Sequence, residues 1–438
     1  MDLLHSSILS VIAHFSSLVS GSMTILAVTM SIASYFLIPI LLGGRSKNWK
    51  NAPPGPVGWP ILGSLPHLSH RLHEDFFHLA KIHGPLFCLK MGIKPAIVIS
   101  SPEMASEILK EKEGMFSSRT ITEAIRVVSY DAHSIIFSPY GPRWKALRRI
   151  LITELLSPKA FEQFEPVRTT QVHGLLKYLY ILSKSSTQVN IAESAFTALA
   201  NLVSNILCSK SLFDNSKPEG RKMKEMFWEM IKEMFIAGTE TTSSTVEWGM
   251  TEILRKPSVH KKLLLELDQV VGKNRFVVES DIPNLPYLQA TVKEVFRLHP
   301  GVPLIIPRRT NEACEVAGYH IPKHCIVYVN IWGIARDPKV WEDPLEFKPE
   351  RFIGSSVDVK GQDFNLLPFG TGRRSCVGWP LAHRMVHYYL AALLHAFEWD
   401  SPPEILRDMN ERVGLTLQKD KSLLGTPKPR LQASVYEH

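Results

Sequence analysis

Hydrophobic and polar positions divide the chain into one unbroken apolar stretch and a long body of mixed periodicity. From Leu3 to Gly44 there is no Asp, Glu, Lys or Arg, and Met23–Leu42 is a run of 20 residues rich in Ile, Leu, Val and Ala. A helix of about 20 apolar residues spans the hydrocarbon core of a bilayer. Arg45, Lys47 and Lys50 follow at once while only Asp2 precedes, which places everything after Arg45 on the cytosolic side. A cleaved signal peptide and a buried core helix are the alternatives. The stretch is long for the first and has no basic leading region. The expectation is a transmembrane anchor with its basic flank in residues 1–50.

Residues 51–60 contain Ala52-Pro53-Pro54-Gly55-Pro56-Val57-Gly58-Trp59-Pro60. Proline denies helix, so this is read as a stiff extended hinge ahead of a body at 61–438. Along the body, Leu86–Met91 and Ala96–Ser100 read as strands around a turn. Pro102–Lys112 reads as a helix capped by Ser101. Arg143–Leu155 and Pro166–Leu182 have helical periodicity, and Lys222–Arg255 is a long helical stretch with a disturbed centre. Asn284–His299 reads as a helix with Asn284 as N-cap and Pro286 in its first turn. Val302–Tyr328 is proline-punctuated and strand-like, and Trp379–Trp399 reads as a last long helix. Helices dominate over short strands, so the expected fold is α+β, mainly helical, in a single large domain with a small β-sheet region.

Composition narrows the function classes. With 45% hydrophobic residues among 438, the chain has ample material for a core, which excludes a wholly disordered protein. The net charge of +8 is spread without a run of five like charges, which argues against nucleic acid as a partner. The five cysteines are widely spaced, contain no Cys-x-x-Cys, and fit a reducing compartment.

The sharpest chemical signal is Phe369-Gly370-Thr371-Gly372-Arg373-Arg374-Ser375-Cys376-Val377-Gly378, leading into a helix. A thiolate just before a helix N-terminus sits in the positive end of the helix dipole. Gly372 and Gly378 let backbone approach a flat ligand, and Arg374 can pair with an anionic group on it. These residues suit a haem with Cys376 as axial sulfur and metal ligand; a buried structural cysteine beside a glycine-rich turn is the alternative. The segment lacks the Gly-Lys-Ser/Thr of a phosphate loop, and Ser375 stands where a dinucleotide fingerprint needs its third glycine. His383 and His387, four apart on the last helix, could share a metal, but no carboxylate with ligand spacing accompanies them.

Phe-x-x-Gly-x-Arg-x-Cys-x-Gly resembles the haem-binding loop of the cytochrome P-450 monooxygenases. Four further motifs stand in that family's order: Trp144/Arg148, Ala237-Gly238-Thr239-Glu240-Thr241-Thr242, Glu294/Arg297, and Pro349-Glu350-Arg351-Phe352. The anchor and proline strap resemble the microsomal plant members. Leu381–His387 and Val357–Gly361 resemble the geraniol 8-hydroxylase and iridoid oxidase group. The resemblance implies haem b as cofactor, an NADPH-dependent reductase, membrane lipid and dioxygen as partners, a small lipophilic terpenoid-like substrate, and an endoplasmic reticulum location. It gives Thr241 the role of hydrogen-bonding dioxygen at the iron and Glu240 that of the acid that relays protons. Trp144, Arg148 and Arg308 join Arg374 at the haem propionates, with Arg309 an alternative to Arg308. Glu294, Arg297 and Arg351 form a buried triad that clamps the helix to the cysteine loop; by spacing alone, Glu294 and Arg297 are also a solvated i,i+3 pair.

The sequence departs from this pattern between Trp144 and Gly238, an interval that in the family holds two helices roofing the substrate pocket. Lys222–Met230 resembles the start of the first roof helix and Ile231–Ile236 already resembles the approach to the oxygen-activating segment, so several tens of residues are missing near 230–231. An open roof would admit water and favour uncoupling. A haem-binding but catalytically impaired splice or gene-model variant is therefore the alternative to an active monooxygenase. Gly301 and Trp379 are smaller departures.

Overall fold

The computed structural model describes residues 23–35, 49–208, 236–414 and 416–437, apart from residues 130 and 133. Residues 23–35 are helical with every residue exposed, and the rest of the expected span, to Leu42, lies outside the described residues. No helix among the described residues is long and apolar enough to cross a membrane. The expected junction near 230–231 also lies outside them.

The proline strap is tied to the body. The carbonyl of Pro54 accepts from the Cys88 amide at 2.8 Å, and Trp49 Nε1 donates to the carbonyl of His320 at 2.5 Å. Gly55 runs so close to this strand that a Cβ there would lie 2.1 Å from the Cys88 carbonyl oxygen, so only glycine fits.

The strap lies on a four-stranded sheet in the order Leu86–Met91, Lys94–Ile99, Ile326–Val329, Arg308–Arg309. The first two strands form an antiparallel hairpin, Ala96 pairs with Ile326 in parallel register, and Arg308 pairs with Val327 antiparallel. Leu86, Ile97 and Ile99 point from it into a buried cluster with Ile108 and Phe116.

The larger core is helical. The helices Glu165–Ser183, Ile191–Cys208, Thr241–Arg255, Pro257–Val270, Pro286–Leu298 and Trp379–Ala396 pack around Trp248, Val295 and Leu390. Gly249 sets the crossing of Thr241–Arg255 over Trp379–Ala396, because a Cβ there would meet Leu390 Cδ1 at 2.9 Å. The expected α+β architecture with helices dominant is present.

Several element boundaries differ from the sequence expectation. Ser101 does cap its helix, accepting from the Met104 amide at 3.4 Å. Asn284 does not cap the next one: it closes a short 3-10 turn, Glu279–Asn284, and the helix begins at Pro286. The last helix stops at Ala396, because Phe397–Asp400 pairs as a strand with Leu424–Pro429. The helices Leu72–His83, Ile191–Cys208 and Pro257–Val270 add to those expected from the sequence.

Candidate active site

Several helices and the cysteine loop line a cavity of about 350 Å³. The first helix supplies its opened start. Residues Ile236–Glu240 form a π-helical turn that passes into the α-helix Thr241–Arg255. Threonine hydroxyls bond back along the ladder here: Thr241 Oγ1 to the Ala237 carbonyl at 2.7 Å, and Thr242 Oγ1 to the Gly238 carbonyl at 3.0 Å. Such back-bonding and the wider turn loosen the helix where it meets the cavity. Ala237, Gly238 and Thr241 line it.

Opposite stands the cysteine loop. A 3-10 turn at Gly372–Arg374 is followed by Cys376, whose amide donates to the Phe369 carbonyl at 2.8 Å. The helix Trp379–Ala396 begins directly after Gly378. Cys376 is open to the cavity, with Phe369 and Gly378 beside it. Burial pushes the thiol pKa up, while the amides of Gly378 and Trp379 and the Arg148 guanidinium favour the thiolate. The sulfur thus lies just ahead of a helix start, at the positive end of its dipole.

The third feature is cationic. Arg119, Arg148, Arg308 and Arg374 all line the cavity. Among the described residues none of the four makes an ion pair; their guanidiniums reach backbone carbonyls instead. Arg374 donates to the carbonyls of Ser117 (2.8 Å) and Ser138 (2.7 Å), and Arg308 to that of Thr371 (2.9 Å). Nε and Nη1 of Arg308 and Nη1 of Arg374 are buried without a partner among the described residues. Burial pushes both residues down to about 10, so both stay charged at neutral pH. A cluster of buried cations with orphaned donors fits an anionic ligand edge. With Cys376 and the apolar walls, this donor set fits a haem carrying two carboxylates.

Cys376, Phe369, Gly378, Arg374, Trp144, Arg148, Arg308 and Thr241 come together at the cavity. The Trp144 indole N–H donates to the Ile135 carbonyl at 2.9 Å, and its ring carries Arg374 at 4.4 Å and Arg148 at 5.4 Å. Arg309, the alternative to Arg308, does not line the cavity. Gly372 does not reach it either: it holds φ +70° and packs against Glu113, where any Cβ would collide with that carboxylate. Glu240 is also absent from the lining. Its carboxylate accepts from the side chain of Gln418, on the strand Leu417–Lys419, and its pKa is raised by burial.

Glu294, Arg297 and Arg351 meet outside the cavity. Arg297 Nε and Nη2 reach the two Glu294 oxygens at 2.7 and 2.8 Å, and Arg351 Nε reaches Glu294 Oε1 at 3.0 Å. Arg297 also donates to the carbonyls of Ala335, Pro344 and Glu346, so the triad ties the helix Pro286–Leu298 to the loop segments beneath it. Glu294 and Arg297 are fully buried, which removes the solvated-pair alternative. His387 Nδ1 is engaged by the His383 carbonyl at 2.6 Å. Burial pushes His383 down to about 4 and His387 to about 3, so both rings are neutral. Sequence reasoning missed Arg119 and most of the apolar wall, such as Leu202, Phe296 and Ile305, none of which carries motif spacing.

The family model described as cytochrome P-450 matches residues 53–234 and 230–425. A probable (S)-N-methylcoclaurine 3'-hydroxylase isozyme of Coptis japonica is 38% identical over 483 residues, covering 92% of this chain and 98% of the relative. An iridoid oxidase of Catharanthus roseus is 35% identical, covering 92% and 98%, and a flavonoid 3',5'-hydroxylase of Solanum melongena 34%, covering 94% and 97%. A solved zebra fish cytochrome P-450 with abiraterone superposes with TM-score 0.72 at 25% identity, covering 83% of this chain and all of that one. The chain belongs to the cytochrome P-450 monooxygenases, a family whose fold uses haem b with a cysteine thiolate as axial ligand.

Proposed function

We propose that this chain uses Cys376 as the axial ligand of its haem and inserts one oxygen atom from dioxygen into a small lipophilic, terpenoid-like molecule. Electrons come from NADPH through a reductase. The observation that carries the reading is the placement of Cys376 and Thr241 around one apolar cavity edged by arginines that form no ion pair among the described residues. When bound, the haem supplies the binding and activation of dioxygen. The chain's own residues do the rest. Arg374 and Arg308 would hold its anionic edge through their buried donors, Arg148 would add its charge there, Trp144 would back the guanidiniums with its ring while its N–H stays on the Ile135 carbonyl, and Phe369 and Gly378 would flank the sulfur. Thr241 offers a hydroxyl at the opened helix turn. Glu240, raised by burial, passes protons toward it after leaving Gln418. Likeness of Leu381–His387 to the geraniol 8-hydroxylase and iridoid oxidase group supports a terpenoid substrate, and the iridoid oxidase relative is consistent with it.

The helix at 23–35, exposed along its length, supports a single-pass anchor at Met23–Leu42. That anchor would hold the protein at the endoplasmic reticulum membrane with its body in the cytosol. Deleting Met1–Leu42 is expected to release the body from microsomes, and full protection of the body from added protease in sealed microsomes would refute the orientation.

A second reading has its own support. The alignment with the Coptis japonica relative runs over 483 residues, longer than this 438-residue chain, and the two stretches matched by the family model meet at 230–234. Both favour an internal shortening where the roof helices belong, and with it a haem protein whose pocket is open to water. Measuring product formed per NADPH consumed separates the two readings.

A further inference from the structure

We infer that His73, Glu74 and Glu411 form a site for a divalent transition-metal ion of the zinc type, which fastens the strand pair Glu411–Val413 and Leu417–Lys419 to the helix Leu72–His83. None of the three residues lines the cavity, so the inference stands apart from the haem reading.

The donor atoms come from segments far apart in the sequence. His73 and Glu74 stand in the first turn of the helix, and Glu411 opens its strand. Nε2 of His73 lies 3.2 Å from Glu411 Oε2 and 3.9 Å from Glu74 Oε1, and the ligand atoms of the trio all lie within 4.8 Å of one another. Among the described residues no other trio of His, Cys, Asp or Glu meets so closely. Zinc binds imidazole nitrogen and carboxylate oxygen at about 2.0–2.2 Å, and a tetrahedral set with such bonds keeps its ligand atoms roughly 3.3–3.6 Å apart. The observed 3.2 and 3.9 Å bracket that spacing. As a simple ion pair the arrangement is poor: one ring N–H reaches one oxygen, at the long end of the hydrogen-bond range, and leaves Glu74 out of reach.

The surroundings orient the donors. The His73 side chain is 2% exposed and its ring stands edge-on to Trp332, with centroids 5.0 Å apart. Trp332 Nε1 donates to Glu411 Oε1 at 3.4 Å, which leaves Oε2 to face the imidazole. Arg71 Nη1 donates to Glu74 Oε1 at 2.8 Å, and its Nη2 to the Glu411 carbonyl at 3.1 Å. Outer contacts of this kind hold ligands in place in metal sites. The Glu74 side chain is 33% exposed and gives an ion its way in, with water as the fourth ligand. The strand pair it would fasten borders the cavity: the Leu417 amide donates to the carbonyl of Gly301, a lining residue, at 2.8 Å.

The test uses the full-length chain as purified with its haem, stripped of loose metal by a chelator and titrated with zinc chloride. One zinc per chain should bind saturably and raise the unfolding midpoint, as a ligand of the folded state does. His73→Gln and Glu74→Gln should each weaken binding by at least about tenfold, the loss seen even when only an outer contact of a metal ligand is removed. His70→Gln, at an exposed position, should bind zinc as wild type does. Because Glu74 is partly exposed, its variant carries the test if His73→Gln does not fold. Zinc X-ray absorption should show nitrogen and oxygen neighbours alone. Absence of saturable binding, affinity unchanged in Glu74→Gln, an equal loss in His70→Gln, or a sulfur neighbour on the zinc would each overturn the inference.

Discussion

Arg148 grips the residue before the cysteine twice: its Nη1 donates to the Ser375 carbonyl at 2.8 Å and its Nη2 to the Ser375 hydroxyl at 3.0 Å. The helix Pro142–Ile150 and the cysteine loop are thereby one unit, and the same guanidinium biases Cys376 toward thiolate. Hydrogen bonds from a charged donor are worth about 1.5–3 kcal/mol. Arg148→Ala should lower the fraction of bound haem in the thiolate-ligated form, with Arg148→Lys intermediate. The ratio of the carbon monoxide difference signal to total haem checks this; an unchanged ratio in Arg148→Ala would show that the grip does not matter.

Glu294 is fully buried and shared by two arginines. Removing it strands Arg297 in the core, at a cost of about 3–5 kcal/mol. Glu294→Ala should yield little folded protein, and Glu294→Gln should retain part of the hydrogen bonding and fall between. Soluble yield and thermal midpoint measure this.

How far the sequence carried the structure depends on the range of each interaction. Ser101 ahead of Pro102 is a local cap and was legible, as were the ordered motifs that converge on the cavity. Asn284 was misjudged because Pro283 and Asn284 belong to a preceding turn. The end of the last helix depends on Phe397 pairing with Pro429, which local periodicity does not encode. Gly372 was expected at the ligand and instead serves a left-handed backbone position against Glu113. Arg119 was invisible because only the fold brings Ile306 and Pro307 to its guanidinium.

Glu247 lies buried on the helix Thr241–Arg255, accepting from the Leu423 amide at 2.7 Å, and burial pushes its carboxyl up to about 7. Lys419 and Arg412 face it and moderate the rise. A carboxyl whose folded pKa is raised contributes stability that is fully present below the unfolded value near 4.5 and is lost as pH climbs through about 7. The size is of order 3 kcal/mol. Glu247→Gln should therefore lose less stability than wild type between pH 5 and pH 8. Denaturant melts at the two pH values decide it, and identical slopes would contradict the burial argument.

The proposed shortening leaves Cys376, Arg374, Trp144 and Arg148 intact, so haem incorporation is expected together with poor coupling of NADPH to product. Water would then bypass the Thr241 hydroxyl, and Thr241→Ala should change product yield by less than about twofold, against the 10²–10⁴-fold typical of a working proton-transfer group. Tight coupling in wild type with a large loss in Thr241→Ala would mean that the pocket is closed, against the proposed shortening.

Everything proposed for this cavity depends on Cys376 supplying the axial sulfur of a haem. The most direct measurement is the carbon monoxide difference spectrum of the reduced full-length chain and of Cys376→Ala. A thiolate-type spectrum in the first and its complete absence in the second is the predicted result. A thiolate-type spectrum that survives in Cys376→Ala would contradict it.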